Sequence, residues 1–479
     1  MKSIHASIAS ALAGVMLLSA CEVGPDYERP PVEVPKAYKE QGEWKPGEPQ
    51  QAATGPWWSI YQDPVLDQLE QQVEVSNQNL KAAEAAFREA SAVVQADTAS
   101  FFPTVTANGA ASRSRTNLSS SSSRQSGVFY ENQASTTLGA SWVPDVWGRV
   151  RRTVEGAEAS AQASAADLAG ARLSAQSTLA MDYFQLRSLD ELKRLLDSSA
   201  EAYTRSLQIT RNQYASGIAS MADTAQAETQ LKTTQAQAIN VGVQRAQLEH
   251  AIAVLTGRPP AEVSVAVEQS LANVPVVPVE MPSALLERRP DIAAAERTMT
   301  AANAQIGVAV AAYYPNLTLA GSYGYSSSLI GSLLQASNNI WSVGPQLAGT
   351  LFDGGLRNAQ ETEARATYDQ DVATYRQTVL TGFQQVEDQL STLRILAQQA
   401  EVEEQAVKSA QNAERIFLNQ YRAGTVAYTS VVTAQATALA AQQTALTVHQ
   451  NRLTATVSLI EALGGGWDAG QLPATASSN

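Results

Sequence analysis

YYPNLTLAGSYGYSSSLIGSLLQASNNIWSVGPQLAGTLFDGGLR, residues 313–357, holds two runs in which apolar and polar residues alternate. In the first, Leu317, Leu319, Tyr323 and Tyr325 stand against Asn316, Thr318 and Ser322. In the second, Trp341, Val343, Leu347 and Leu351 stand against Ser342, Gln346 and Thr350. A period of two is the strand period, because successive side chains point to opposite faces of a sheet. Phe352-Asp353-Gly354-Gly355-Leu356-Arg357 closes the second run, and a helix is expected to start there. The stretch reads as a β-hairpin, about 315–352, set between helices. An earlier hairpin, about 103–144, runs from Phe101-Phe102-Pro103 to Asp145-Val146-Trp147-Gly148-Arg149. Its second strand sets Ala134, Thr136, Leu138, Ala140 and Trp142 against Gln133, Ser135, Thr137, Gly139 and Ser141. The Ser- and Arg-rich segment from Arg113 to Gln125 reads as the loop between its strands. Alternation by itself fits both a half-exposed soluble sheet and membrane strands of about ten residues.

Outside the hairpins the period is helical. After Asp145 no proline occurs until Pro259, and the one strong break is Gln213-Tyr214-Ala215-Ser216-Gly217. Asp145 is placed to cap a helix, with Arg149 four residues on to pair with it. About 65 helical residues at 1.5 Å each reach near 100 Å, far beyond a globular-domain helix. Gly217 turns the chain, and a returning helix stops at Thr256-Gly257-Arg258-Pro259-Pro260, where a Gly cap precedes two prolines. The last helix repeats Val432, Leu439, Leu446, Leu453 and Ile460 every seventh residue, with Ala436, Gln443, Gln450 and Val457 as the interleaved row. That spacing implies a left-handed supercoil with a wet seam.

The whole arrangement is duplicated. Asn79-Leu80-Lys81-Ala82-Ala83-Glu84 matches Asp291-Ile292-Ala293-Ala294-Ala295-Glu296; Asp145 and Arg149 match Asp353 and Arg357; Gln213-Tyr214 and Gly217 match Gln420-Tyr421 and Gly424; Gly257 matches Gly464. Repeat one is assigned to 65–258, turning at Gly217, and repeat two to 285–465, turning at Gly424, with a proline-containing linker at 259–284. A Pro-rich arm, 21–64, ends on Trp57-Trp58, and a small polar tail, 466–479, reads as disordered.

Residues 1–20 read as a signal peptide: a short apolar run ending in Leu18-Ser19-Ala20, too short for a membrane span. Cys21, the only cysteine among 479 residues, sits where a bacterial lipobox needs it and reads as a lipidated first residue. The net charge of −13 argues against nucleic acid, which needs a basic stripe. His250 and His449 stand alone and do not match under the duplication, so no metal or cofactor site is read. The glycine runs lack a phosphate-loop pattern, and no enzymatic constellation is visible.

Four strands per chain cannot close a barrel, and lipid tolerates β-structure only when closed. Two chains would give a plugged barrel of about eight strands; three would give about twelve with an open, Ser/Thr/Gln/Asn-lined lumen. The lipobox with Val23-Gly24-Pro25-Asp26-Tyr27, the two aromatic-Pro strand starts, Leu351-Phe352-Asp353-Gly354-Gly355, the Tyr-x-x-Gly turns and Ala462-Leu463-Gly464-Gly465-Gly466-Trp467 resemble the TolC/OprM-like outer-membrane efflux lipoproteins. The resemblance implies a mixed α and β membrane fold. In it, internally duplicated helix–β-hairpin–helix repeats from a homotrimer make a 12-stranded barrel continuous with a long α-helical barrel. An equatorial belt would be built from the arm, the linker and the C-terminal region. The function implied is a passive exit duct for drugs or other small molecules, lipid-anchored in the outer membrane. It would dock a periplasmic adaptor protein fed by an inner-membrane efflux transporter. A free-standing porin would need no such helices, and a structural rod no amphipathic strands.

The helix-hairpin turns are the expected docking and gating end: Tyr214, Gly217 and Ile218 in copy one; Tyr421, Arg422, Gly424, Thr425 and Val426 in copy two. The family's acidic tip constriction has no counterpart between Leu418 and Thr447, which contains no Asp or Glu. Asp223 is the nearest acid and reads as part of a solvated face, while Tyr421 and Arg422 are candidates to hold a closed state.

Overall fold

The structure is a computed structural model that describes residues 22–40, 56–118, 127–268, 271–277 and 282–474. Residues 1–20, expected to be a signal peptide, and Cys21 lie outside those residues.

Copy one opens with α1 (Pro64–Ser76), which starts where Asp63 accepts hydrogen bonds from the Val65 and Leu66 amides at 2.9 and 3.1 Å. The chain breaks at Asn77, whose side chain caps α2 (Gln78–Thr98) and also donates to the Leu255 carbonyl at 2.8 Å. Strands β1 (Thr104–Leu118) and β2 (Gly127–Trp142) follow, then α3 (Arg149–Ala215) and α4 (Met221–Leu255). Copy two repeats the order: a one-turn α5 (Leu285–Arg288), α6 (Pro290–Ala311), β3 (Asn316–Ser327), β4 (Asn339–Ala348), α7 (Leu356–Arg422) and α8 (Tyr428–Ala462). Both long helices have 67 residues and both return helices 35, so each hairpin reaches about 100 Å. Among the described residues no helix is long and apolar enough to cross a membrane.

The main core lies opposite the middle of the long helices, where Trp57, Trp58, Tyr61 and Leu66 meet Tyr183, Phe184, Ile292, Tyr375, Val379, Leu453 and Leu459. The arm straps this region. The Val23 amide donates to the Trp147 carbonyl at 3.4 Å, and buried Arg152 holds Glu22 at 3.1 Å and Asp26 at 2.7 Å. Farther along, Arg29 meets Glu296 at 3.1 Å and Glu40 meets Arg394 at 2.6 Å. Gly24, at φ +103°, packs on the backbone of Gly307 so closely that a Cβ would overlap it.

Four local expectations are corrected. Arg113 to Leu118 is strand rather than loop, because β1 pairs with β2 through Leu118↔Gly127; Thr350 and Leu351, read into the second strand of copy two, lie beyond the end of β4 at Ala348. The tail is ordered through residue 474: Trp467 and Leu472 pack on Ala166, Ala293 and Ala294, and the Pro473 carbonyl accepts from Gln162 at 2.9 Å. In α8 Ala436 is exposed while Gln435 and Ala438 are buried, since α8 packs on α3 as well as α7 and one seven-residue row describes only one of those seams.

Candidate functional site

The strands form one antiparallel sheet in the order β1-β2-β3-β4. Directly paired residues share a face, so the register sorts the side chains without ambiguity. One face carries the rows Ala107–Leu138–Tyr323–Trp341, Val105–Ala140–Gly321–Val343 and Trp142–Leu319–Pro345. The other carries Thr106–Gly139–Ser322–Ser342, Asn108–Thr137–Gly324–Ile340 and Thr318–Gln346. Among the described residues nothing covers the apolar face: Trp341 is 70% and Val343 77% exposed. On the polar face Ser322 and Ser342 hydroxyls lie 2.8 Å apart. Among the described residues no strand lies beside the outer edges of β1 and β4.

The sheet is fastened to the helices by matched acids. Asp353 accepts from the Arg357 guanidinium at 2.5 Å and from the Gly355 amide at 3.0 Å, which together hold its carboxyl below the usual range. Asp145 caps α3 through the Val150 and Arg151 amides, both at 2.9 Å. Its charge partner is Arg151 at 3.3 Å, not Arg149, which is exposed. Gly148, at φ +77°, starts the helix so that the residue facing Asp145 falls two positions later than expected. Trp147 completes the joint, stacking on Tyr314 at 4.8 Å and donating to the Pro315 carbonyl at 2.9 Å.

At the far end of the hairpins the two turns share one backbone. Gly217 and Gly424 both lie at φ +73°, and their amides donate to the Tyr214 and Tyr421 carbonyls, each at 2.9 Å. Only glycine adopts that conformation without strain. Ile218 amide donates to Gln213, and Thr425 amide and hydroxyl donate to Gln420. Ile218 and Thr425 are exposed and Val426 half-buried. Arg422 is exposed, and among the described residues no ion pair involves it. Tyr214 is half exposed, whereas Tyr421 is buried against Tyr428, ring centroids 5.0 Å apart. Sequence reasoning missed Tyr203, Ser206 and Tyr428, which join the two hairpins. Tyr203 donates to the Gln435 carbonyl at 3.2 Å, and the Ser206 and Tyr428 hydroxyls lie 3.3 Å apart. Their only sequence signal was polar-aromatic residues at helical spacing within about four turns of the tips. Asp223 is not a bare solvated acid: it forms a capping box with Ser220, accepting from that amide and hydroxyl at 2.8 Å.

Among the described residues no three His, Cys, Asp or Glu side chains cluster as a metal site. His449 lies 3.0 Å from the Ala272 carbonyl. One buried acid stands apart: Glu70 in α1, whose carboxylate oxygens have no hydrogen-bond partner among the described residues. Burial pushes its carboxyl up to about 9.

The sequence model of a family described as outer membrane efflux protein matches residues 69–258 and 281–465. The chain is 30% identical over 465 residues to the probable efflux pump outer membrane protein TtgC of Pseudomonas putida, covering 96% of both chains. It is 29% identical to the pyoverdine export outer membrane protein OpmQ of Pseudomonas aeruginosa, over 86% of this chain and 88% of that one. Among solved structures it superposes on the outer-membrane channel OprN with a TM-score of 0.86 at 28% identity, covering 93% of this chain and 100% of that one. The open state of the MtrE outer membrane channel of Neisseria gonorrhoeae gives a TM-score of 0.82 at 26% identity, covering 94% and 99%.

Proposed function

The chain belongs to the outer membrane efflux protein family and acts as an outer-membrane efflux channel that extends into the periplasm; from that premise we propose how it is built and opened. Three copies join their sheets edge to edge into a 12-stranded barrel, apolar face to lipid and polar face to the lumen. The observation that carries this is the sheet itself: four strands with two unpartnered edges and one uncovered apolar face. In lipid each unpaired backbone group costs several kcal/mol, so closure by other copies is the physical solution. Cys21 is lipidated and anchors the arm, whose first described residues lie beside Trp147, at the foot of the sheet.

The helical hairpins form the periplasmic duct, and its closed end is held by the Tyr203, Ser206, Tyr421, Tyr428 contacts. A periplasmic adaptor docks at the exposed turn residues Gly217, Ile218, Arg422, Gly424 and Thr425 and opens the duct, and an inner-membrane transporter loads it. Transport through it is passive: a wide lumen of hydroxyls and amides moves substrates without a specificity pocket, and no catalytic step is involved. The region where the arm, the 259–284 linker and the C-terminal tail meet the long helices forms an equatorial belt.

Drug accumulation in a deletion strain tests this reading. Accumulation rises on deletion, returns to normal with the wild-type gene, and stays high with Gly424→Pro, because proline cannot adopt the positive φ of the turn. Unchanged accumulation on deletion, together with no adaptor crosslink from Arg422, contradicts it.

A further inference from the structure

The upper part of the first hairpin carries a feature that transport does not use. Beyond Ala134, the last β2 residue that pairs with β3, β1 and β2 continue alone as a two-stranded ribbon, Ser112–Leu118 against Gly127–Gln133. The register places Arg113↔Asn132 and Arg115↔Tyr130 on the same face as Val105, Ala107 and Leu138, the uncovered apolar face. The charge of the opposite sign, Glu131, pairs with Ser114 and so lies on the polar face. Charge is therefore sorted by side: arginine with the apolar face, glutamate with the polar one.

The height of the two arginines also fits. From Leu317 to Ser327 about ten residue steps of roughly 3.4 Å, tilted by about 40°, give an apolar band near 26 Å tall, close to the ~25 Å of outer-membrane barrels. Arg113 stands one pair of residues beyond that band and Arg115 two, at the level of headgroups. Both are exposed, and no carboxylate pairs with either among the described residues. The Arg113 guanidinium lies 5.2 Å from the centroid of the Tyr130 ring, itself exposed, so an aromatic props one side of the fork and leaves its N–H groups free. A planar, permanently charged fork at this level matches a phosphate oxyanion.

We propose that Arg113, Arg115 and Tyr130 form a binding site, one per chain, for the phosphate-bearing headgroup of an outer-leaflet lipid. The site rests on the barrel reading, since it needs the apolar face turned to the membrane. It fixes the barrel's height and gives each ribbon a lipid clamp outside the lumen. The site departs from the acidic balance of the chain, −13 overall, which disfavours anions elsewhere on the surface.

The test reconstitutes the full-length trimer in vesicles of neutral phospholipid doped with a phosphorylated glycolipid or with its dephosphorylated form, then counts retained lipid by native mass spectrometry. Wild type is expected to prefer the phosphorylated lipid by about tenfold. Arg113→Gln with Arg115→Gln should abolish that preference, while Glu131→Lys, which adds positive charge on the lumen side, should not increase it. Arg113→Lys with Arg115→Lys should retain part of it and serves as the folded control. Equal retention of the two lipids by wild type, a preference that survives the double glutamine variant, or displacement of the lipid by inorganic phosphate alone overturns the inference. Failure of wild type to insert into any vesicle would defeat the barrel reading and this site with it, whereas insertion without preference defeats the site only.

Discussion

Gly217 and Gly424 sit at the same φ of +73° and end helices of the same length, 67 residues. Yet Tyr214, three residues before the first, stands half in solvent, while Tyr421, three before the second, is buried against Tyr428. The same contrast recurs at the other end of the hairpins. Asp145 and Asp353 occupy matched positions, but the first pairs with Arg151 and the second with Arg357. Duplication has thus kept the backbone and released the side chains. The shared backbone lets the two copies lie side by side, while the side chains let Tyr421 of copy two pack into the contact between the hairpins where Tyr214 of copy one stays half exposed.

The largest expected effect separates the two tyrosines. Tyr421→Ala should cost about 3 kcal/mol, as removal of a buried aromatic does, and Tyr214→Ala should cost under about 1 kcal/mol. Hydrogen exchange at the amides of Tyr428 to Val432 reads the difference; equal loss of protection in the two variants would erase the contrast. Next comes Glu70, which has no counterpart in copy two, where the position matched by the Asn79/Asp291 correspondence is Pro282. Its folded pKa is raised from 4.5 to about 9, so the folded state binds the proton more tightly. Stability from this group is fully present below pH 4.5 and lost as pH rises toward 9. Glu70→Gln should therefore stabilise the protein by roughly 3 kcal/mol at pH 7 and not at all at pH 4. Urea melts at the two pH values check the sign.

Smaller still is the asymmetry at the sheet–helix joint. Arg151→Ala should lower stability by about 1 kcal/mol and Arg149→Ala by nearly nothing, while Arg357→Ala in copy two should match Arg151→Ala. Thermal melts of the three variants would show a different order if Asp145 used Arg149 instead. The smallest contrast is an expected identity. Gly217→Ala and Gly424→Ala should each cost about 1 kcal/mol, and to the same degree, because the two turns have one backbone conformation; unequal costs in exchange at the two turns would mean that the turns are not equivalent.

The sequence was a good guide wherever one residue type answers one local demand. Alternation gave the strands their faces, Asp63-Pro64 and Asn77 marked helix starts, and the glycines at 217, 257, 424 and 464 marked helix ends, all at positive φ. It was a poor guide wherever a distant segment decides. The tail looks structureless because the surface that orders Trp467 and Leu472 belongs to α3 and α6. Arg149 looked like the partner of Asp145 because helical spacing was counted from Asp145, whereas the helix begins after Gly148. The strand past Ser112 looked like loop because Arg113 to Asn117 are polar on both faces; pairing with β2 keeps it extended. At the tips, Gly217 and Gly424 were legible as turns, but the contact of Tyr203 with Gln435 joins residues far apart in the chain and leaves no local mark.

The face assignment of the sheet is the claim on which the channel depends, and single cysteines test it most directly. In a Cys21→Ser background, which removes the one native thiol, cysteines at Leu138, Val343, Thr137 and Ser342 are introduced one at a time into the reconstituted channel. The account predicts that Leu138→Cys and Val343→Cys carry labels quenched by a lipid-phase quencher, and that Thr137→Cys and Ser342→Cys react with a water-soluble thiol reagent through the lumen. Equal reaction of all four with the aqueous reagent, without lipid-phase quenching, would mean a sheet that stands in water, and would contradict the account.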